Sequence, residues 1–337
     1  MKNLLFLSSV ILLSSVSGIA QENKNNYKKY IGKADSLYKA KEYASAARSY
    51  YKGFLEINGK AYATDRYNAA CSYSLAKIND SAFYHLNYMA DKSSDYLYDS
   101  YKHVMKGDSD LDEIRKDERW EAFSQRMDSI KSAKEKDLNM ELVEMLDPIY
   151  EKDQGIRKEY REMAEKHNND DPEMKAFYKK WRAVDSTNEV AITQFLDEHG
   201  WLGANVIGSK GNSTLFLVIQ HSPLETQEKY LPMMQDAVKK GNARGSSLAL
   251  LEDRINLRNQ RHQVYGSQIG TLPETGENVV QPLADPDRVD MRRKEVGLGP
   301  ISEYASRFGI KWDLEAYKKR LPELEAIYFG KKAENED

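Results

Sequence analysis

Between residue 27 and about residue 130 the apolar positions follow a helical spacing with a longer period laid over it. Ala34, Ala46, Tyr50 and Gly53 return as Ala70, Ala82, Leu86 and Met89, each 36 residues further on. Small side chains at facing positions let two helices approach closely, and bulky ones a turn or two away fill the space beside them. The pattern predicts helical hairpins in series. The following stretch "DSDLDEIRKDERWEAF", residues 108–123, reads as a helix capped by Asp110, with Leu111, Ile114 and Trp120 turned inward to close the stack.

Beyond a charged segment at 131–138 a different pattern begins, which puts a domain boundary near residue 135. Gly and Pro are absent from 128–146, so the junction reads as continuous helix rather than flexible linker. Helical periodicity then predicts helices over about 140–168, 172–199, 225–240, 245–260, 287–295 and 313–328. Asp285 before Pro286 fits a helix N-cap followed by Pro at the first helical position, and Gly297 suits the stop. The short apolar run in "LFLVIQHSP", residues 215–223, suits either a buried strand or a buried helix. Only "ENVVQPL" resembles it elsewhere in this half, so a large sheet lacks partner strands and helix is the choice for 213–221. The expected fold class is all-α, with a few short strands or irregular segments in the C-terminal domain.

The repeat, in "GKADSLYKAKEYASAARSYYKGF" and "YNAACSYSLAKINDSAFYHL", resembles tetratricopeptide repeats, about two residues longer than the usual length and without the Trp and Pro of the motif. Residues 108–123 resemble the segment that often ends short arrays of this kind. The resemblance implies a surface for a protein or peptide partner.

The first residues, "MKNLLFLSSVILLSSVSGIAQ", carry Lys2, an apolar stretch at 4–16 and the small-x-small triplet Gly18-Ile19-Ala20. That is the build of a secretory signal peptide over residues 1–20, and the apolar run falls short of the ~20 residues that span a bilayer. The expectation is an exported chain, periplasmic or extracellular, with a repeat domain at 21–135, a second helical domain at 136–330 and a charged tail at 331–337. No later segment has the length and apolarity of a membrane span. With 50 basic and 53 acidic residues the net charge is -3, which gives no electrostatic reason to expect nucleic acid. Composition, 40% hydrophobic and 31% charged, is that of a globular chain. A single cysteine, Cys71, excludes an intrachain disulfide and any thiolate cluster.

Candidate chemistry is concentrated in the second half. Asp108, Asp110 and Asp112 open like a calcium loop, but Glu113 stands where the sharp turn requires Gly and Arg119 where the bidentate acid belongs. "GSKGNS" and "GLGP" lack both the Lys-Ser/Thr ending of a phosphate loop and the context of a dinucleotide fold, so they read as turns and no cofactor is expected. Neither His221 nor His262 belongs to a His-Glu-x-x-His pair; a site from His221, Asp253 and Asp285 is the remaining metal alternative, and no metal is assigned. Ser267 has no nucleophile-elbow motif. In "SSLALLEDRINLRNQ" the arc of Leu248, Leu250, Leu251, Ile255 and Leu257 contains Arg254 and borders Asp253. A guanidinium there must reach past the apolar surface or meet a buried acceptor, because an isolated buried charge costs several kcal/mol. "QVYGSQ" follows, rich in hydrogen-bonding groups at Gln263, Tyr265 and Gln268.

"DQGIR" (153–157), "HGWLGANVIG" (199–208), "LVIQHSP" (217–223), "LLEDRI" (250–255), "QVYGSQ" (263–268) and "MRRKEVGLGPISEY" (291–304) occur in this order. Together they resemble the bacterial domain of unknown function 6624 family over roughly 140–310, with Ser267 where the family shows Thr. The resemblance implies that Gln220, His221, Asp253, Arg254, Gln263, Tyr265, Gln268 and Arg293 belong together, and it implies no activity. Two expectations follow. The preferred one is an exported adaptor that binds a partner through its repeats, with these polar residues satisfying one another. The alternative is a cell-envelope hydrolase or transferase in which His221 is the general acid or base, Asp253 orients it and Arg254 or Arg293 holds a carboxylate or phosphate.

Overall fold

The computed structural model describes residues 4–330, with side chains from Glu22 onward. Most of the leader expected at 1–20 therefore has no described side chains, and the tail at 331–337 lies outside the described residues. The chain divides into two compact units, 1–136 and 137–337, and both are built predominantly of α-helix. Among the described residues no helix is long and apolar enough to cross a membrane.

The N-terminal unit contains α1 (Leu4–Lys39), α2 (Tyr43–Glu56), α3 (Ala63–Leu75), α4 (Asn79–Lys92), α5 (Ser94–Asp99) and α6 (Arg119–Glu135). Helices α1 and α2 form one hairpin and α3 and α4 the next. All eight positions of the 36-residue pattern are buried. Gly53 shows why: a Cβ there would lie 3.3 Å from both Ile31 Cδ1 and Tyr30 Cβ, so only glycine lets α2 settle against α1 without displacing a neighbour.

The expected helix from Asp110 is instead two short 3-10 turns, Ser109–Leu111 and Ile114–Lys116, before α6 begins. The cap is Asp108, whose carboxylate accepts the Asp110 N–H at 3.0 Å, while Asp110 itself accepts from the Tyr38 phenol. Leu111 and Ile114 are fully buried, and Trp120 packs partly buried beside them.

The C-terminal unit contains α7 (Met140–Ala164), α8 (Pro172–His199), α9 (Ala204–His221), α10 (Leu224–Lys239) and α11 (Gly245–Arg258). Then come a small antiparallel hairpin of β1 (Ile269–Thr271) with β2 (Asn278–Val280), and α12 (Val289–Glu295), α13 (Ile301–Ser306) and α14 (Leu314–Phe329). Leu215, Val218 and Ile219 of α9 are buried against Leu146 of α7, Leu196 of α8 and Leu251 of α11. A helix is the favoured solution here because three surrounding helices supply apolar neighbours on several sides.

Two local expectations are corrected. "GSKGNS" lies within α9 rather than in a turn; the helix breaks only at Gly208, at φ 71°, and resumes. Gly211 then passes Leu146 so closely that a Cβ would lie 3.1 Å from its methyl. Asp285 does precede Pro286, but with left-handed backbone at φ 42° and no capping bond; its carboxylate faces Arg292 at 3.5 Å, and α12 starts after a 3-10 turn, Pro286–Arg288. Gly297 takes the positive φ expected of a helix stop.

Candidate functional site

The residues singled out in the sequence separate into two structures. Asp253, wholly buried, accepts the backbone N–H groups of Val264 (2.6 Å), Tyr265 (3.0 Å) and Ser267 (2.9 Å). Gln263, equally buried, donates to the carbonyls of Gln268 (3.0 Å) and Gln281 (2.8 Å) and accepts the Gln268 N–H at 2.8 Å. The Gln268 amide donates to Ser267 Oγ. Arg293, only 2% exposed, donates to the carbonyls of Gly299 and Tyr265, both at 2.6 Å, and lies over the Tyr304 ring. These side chains fold the 263–268 loop onto α11 and α12. Burial raises the pKa of Asp253, the three N–H donors oppose it, and the net shift is upward. Their polar atoms are taken up by backbone, so Asp253 is not the residue that orients His221.

The acid that faces His221 is Asp153 on α7. Its carboxylate stands 3.1 Å from His221 Nδ1, and it also receives Arg157 at 3.0 Å and the Gln154 amide at 2.7 Å. Burial pushes the Asp153 pKa up, but the bond and charge of His221, the charge of Arg157 and the bond from Gln154 outweigh it and hold the carboxyl below its ordinary value. An ionised carboxylate can only accept, so Nδ1 carries a proton and Nε2 is the ring nitrogen turned away from Asp153. The Gln220 amide lies 3.5 Å from Nε2.

His221 lines a cleft of about 410 Å³ together with Arg157, Tyr160, Arg161, Trp181, Asp185, Arg254 and Arg258. Three helices contribute these residues as pairs four apart, 157/161 on α7, 181/185 on α8 and 254/258 on α11, a spacing that places both members on one helix face. Arg157 donates to Asp185 at 3.1 Å and lies over the Trp181 ring, while Arg258 donates to the Ser222 carbonyl at 3.0 Å.

Arg254 differs from these two. Its Nε is buried with no hydrogen-bond partner, and no carboxylate pairs with it among the described residues. Burial lowers its pKa, the neighbouring charge of Arg258 adds to this, Tyr304 opposes it, and Arg157 lowers it a little further. The guanidinium that intrudes on the apolar arc therefore opens onto the cleft instead of meeting a buried acceptor. Of the eight residues expected together, His221, Gln220 and Arg254 belong to the cleft and its rim, and Asp253, Gln263, Tyr265, Gln268 and Arg293 belong to the folded loop.

Sequence reasoning passed over Asp153, Arg157, Arg161, Trp181, Asp185 and Arg258. Asp153 and Arg157 were in view inside "DQGIR", but an acid four residues before a base is also the commonest exposed helix ion pair. The repeated four-residue spacing of Arg157/Arg161 and Arg254/Arg258 was the usable signal.

A second group, Cys71 Sγ with carboxylate oxygens of Asp108 and Asp110, lies within 4.8 Å in the N-terminal unit. Both acids are engaged from within, Asp108 by Tyr67 and Asp110 by Tyr38. Of the acids once weighed for calcium, Asp112 is taken by Arg115.

A helical domain that holds a His–Asp pair at the wall of an arginine-lined cleft is the class of protein these features define. The chain belongs to the family of unknown function DUF6624, whose model matches residues 136–316. No curated protein and no solved structure matches it.

Proposed function

We propose that the C-terminal domain binds an anionic ligand in the arginine-lined cleft and moves a proton at His221, in hydrolysis or transfer at a cell-envelope component. The observation that carries this reading is the 3.1 Å contact of His221 Nδ1 with buried Asp153 at the wall of a cleft where Arg254 lacks a counter-charge. In this reading Nε2 takes the proton of an attacking water or hydroxyl, Asp153 steadies the imidazolium, and the proton passes to the departing oxygen. Arg254 offers two parallel N–H groups to the anion. A His221→Asn variant assayed against a panel of phosphate and carboxylate esters should lose on the order of 10²–10⁴-fold in turnover with its melting temperature unchanged. A panel left unturned by the wild-type protein, or one turned over equally by the variant, would remove the proton-transfer role.

A second reading concerns the N-terminal unit. The resemblance to tetratricopeptide repeats and the exposure of Tyr51, Leu55, Tyr62 and Tyr84 support binding of a protein or peptide partner, in a chain exported through its leader. Tyr51→Ser with Leu55→Ser should abolish crosslinking to that partner in cells without altering the melting temperature; undiminished crosslinking would end this reading.

A further inference from the structure

The cleft is lined by two chemically distinct kinds of side chain. One kind of lining is cationic, supplied by guanidiniums, and the other is aromatic, supplied by Tyr160 and Trp181 with ring centroids 4.9 Å apart. Around them stand four guanidiniums, Arg157, Arg161, Arg254 and Arg258. The carboxylates close by are Asp185, which takes Arg157, and Asp153, which takes Arg157 and His221. Four guanidiniums against two carboxylates leave an excess of two positive charges before the imidazole is counted. A lone carboxylate would neutralise only one. A phosphomonoester, whose second ionisation falls near pH 6, carries about -1.5 to -2 at neutral pH and matches the excess.

We infer that the ligand of this cleft is a phosphomonoester carrying a flat ring, with its phosphoryl group on Arg254 and its ring against Tyr160 and Trp181. This rests on the anion-binding part of the proposed function and adds the substrate class. Arg254 is the anchor because it lines the cleft with terminal nitrogens that no hydrogen bond or ion pair engages among the described residues, and those two parallel N–H groups make the fork that receives two phosphate oxygens. Its i+4 neighbour Arg258 is held by the Ser222 carbonyl and lies nearer the rim, placed to meet the third oxygen. Trp181 packs on Phe177 and Tyr160, lies under the Arg157 guanidinium, and lines the cleft while half-buried. Stacking of a planar ligand on such a lining is worth roughly tenfold in affinity. The His221 imidazole lines the same cleft.

The test is calorimetric titration of the full chain with phenyl phosphate, inorganic phosphate and benzoate, each against the wild-type protein, Arg254→Gln and Trp181→Leu. Phenyl phosphate should bind roughly tenfold more tightly than inorganic phosphate. Arg254→Gln should lose both phosphates by at least about tenfold, and Trp181→Leu should keep inorganic phosphate while losing the preference for the ring. Because Trp181 packs against Phe177, the comparison of the two phosphates on the wild-type protein stands by itself if that variant is poorly folded. Equal affinity for the two phosphates there would overturn the assignment of the aromatic lining. Benzoate bound more tightly than phenyl phosphate, with Arg254 required, would overturn the phosphomonoester while leaving an anion cleft intact. Absence of binding by all three anions would remove both the inference and the anion-binding reading beneath it.

Discussion

Arg293 and Arg254 are both guanidiniums on helices of the same domain, both carried into apolar surroundings, and the protein treats them in opposite ways. Arg293 is 2% exposed, donates to two carbonyls at 2.6 Å and lies over the ring of Tyr304. Arg254 is held among like charges, with a buried Nε that nothing accepts. A buried polar group without a partner costs about 1–3 kcal/mol, so a fold keeps one where something other than stability requires it. The same contrast separates the two buried acids. Asp253 is spent on three backbone N–H groups, whereas Asp153 faces His221, whose ring lines the cleft. A satisfied network is scaffold, and the unsatisfied group beside the cleft is what motivates the proposed ligand.

The largest expected effect comes from breaking the scaffold side. Asp253→Ala strands the N–H groups of Val264, Tyr265 and Ser267, and should cost roughly 3–5 kcal/mol in chemical denaturation of the C-terminal domain. A loss under about 1 kcal/mol would show that the 263–268 loop does not depend on that carboxylate.

Asp153→Asn should fall in between, at about 1–3 kcal/mol, because the carboxylate is buried but His221 and Arg157 keep access to the cleft. Its signature lies in the pH dependence. The folded pKa of Asp153 is depressed, so its contribution is present above the ordinary carboxylate value and is lost as pH falls through the folded value. Denaturation midpoints measured from neutral pH into acid should therefore converge for wild type and variant at the acid end, and parallel curves would contradict the assigned partnership.

How much of this contrast the sequence made legible depends on the range of the interactions. Helices α7, α8, α10 and α11 were readable because their apolar periodicity is local, and the 36-residue pattern marked the hairpins because it repeats; the glycines of "GSKGNS" hid the first half of α9. Asp110 was misread as a cap because Asp108, two residues earlier, offers the same chemistry and only the backbone path decides between them. Polar residues of the family motifs were grouped as one set, whereas the structure divides them between cleft and loop, because periodicity carries no record of which acid meets which base. His221 and Asp153 are 68 residues apart, and nothing in either neighbourhood names the other. The aromatic part of the cleft lining was invisible for the same reason: Tyr160 and Trp181 stand on different helices, α7 and α8.

The smallest change in stability, and the most informative, is expected at Arg254. Arg254→Gln removes a charge repelled by Arg258 and Arg157 and should leave the domain as stable as the wild type or up to about 1 kcal/mol more so. The decisive measurement is the denaturation midpoint of both proteins with and without saturating inorganic phosphate. Ligand bound only by the folded state raises stability by roughly 2.7 kcal/mol at a hundred times its dissociation constant. The wild-type midpoint should rise with phosphate and that of Arg254→Gln should stay fixed, while without phosphate the variant is at least as stable. A variant that is markedly less stable, yet gains as much from phosphate as the wild type, would place Arg254 in the scaffold beside Arg293 and contradict the division of the domain drawn from the two.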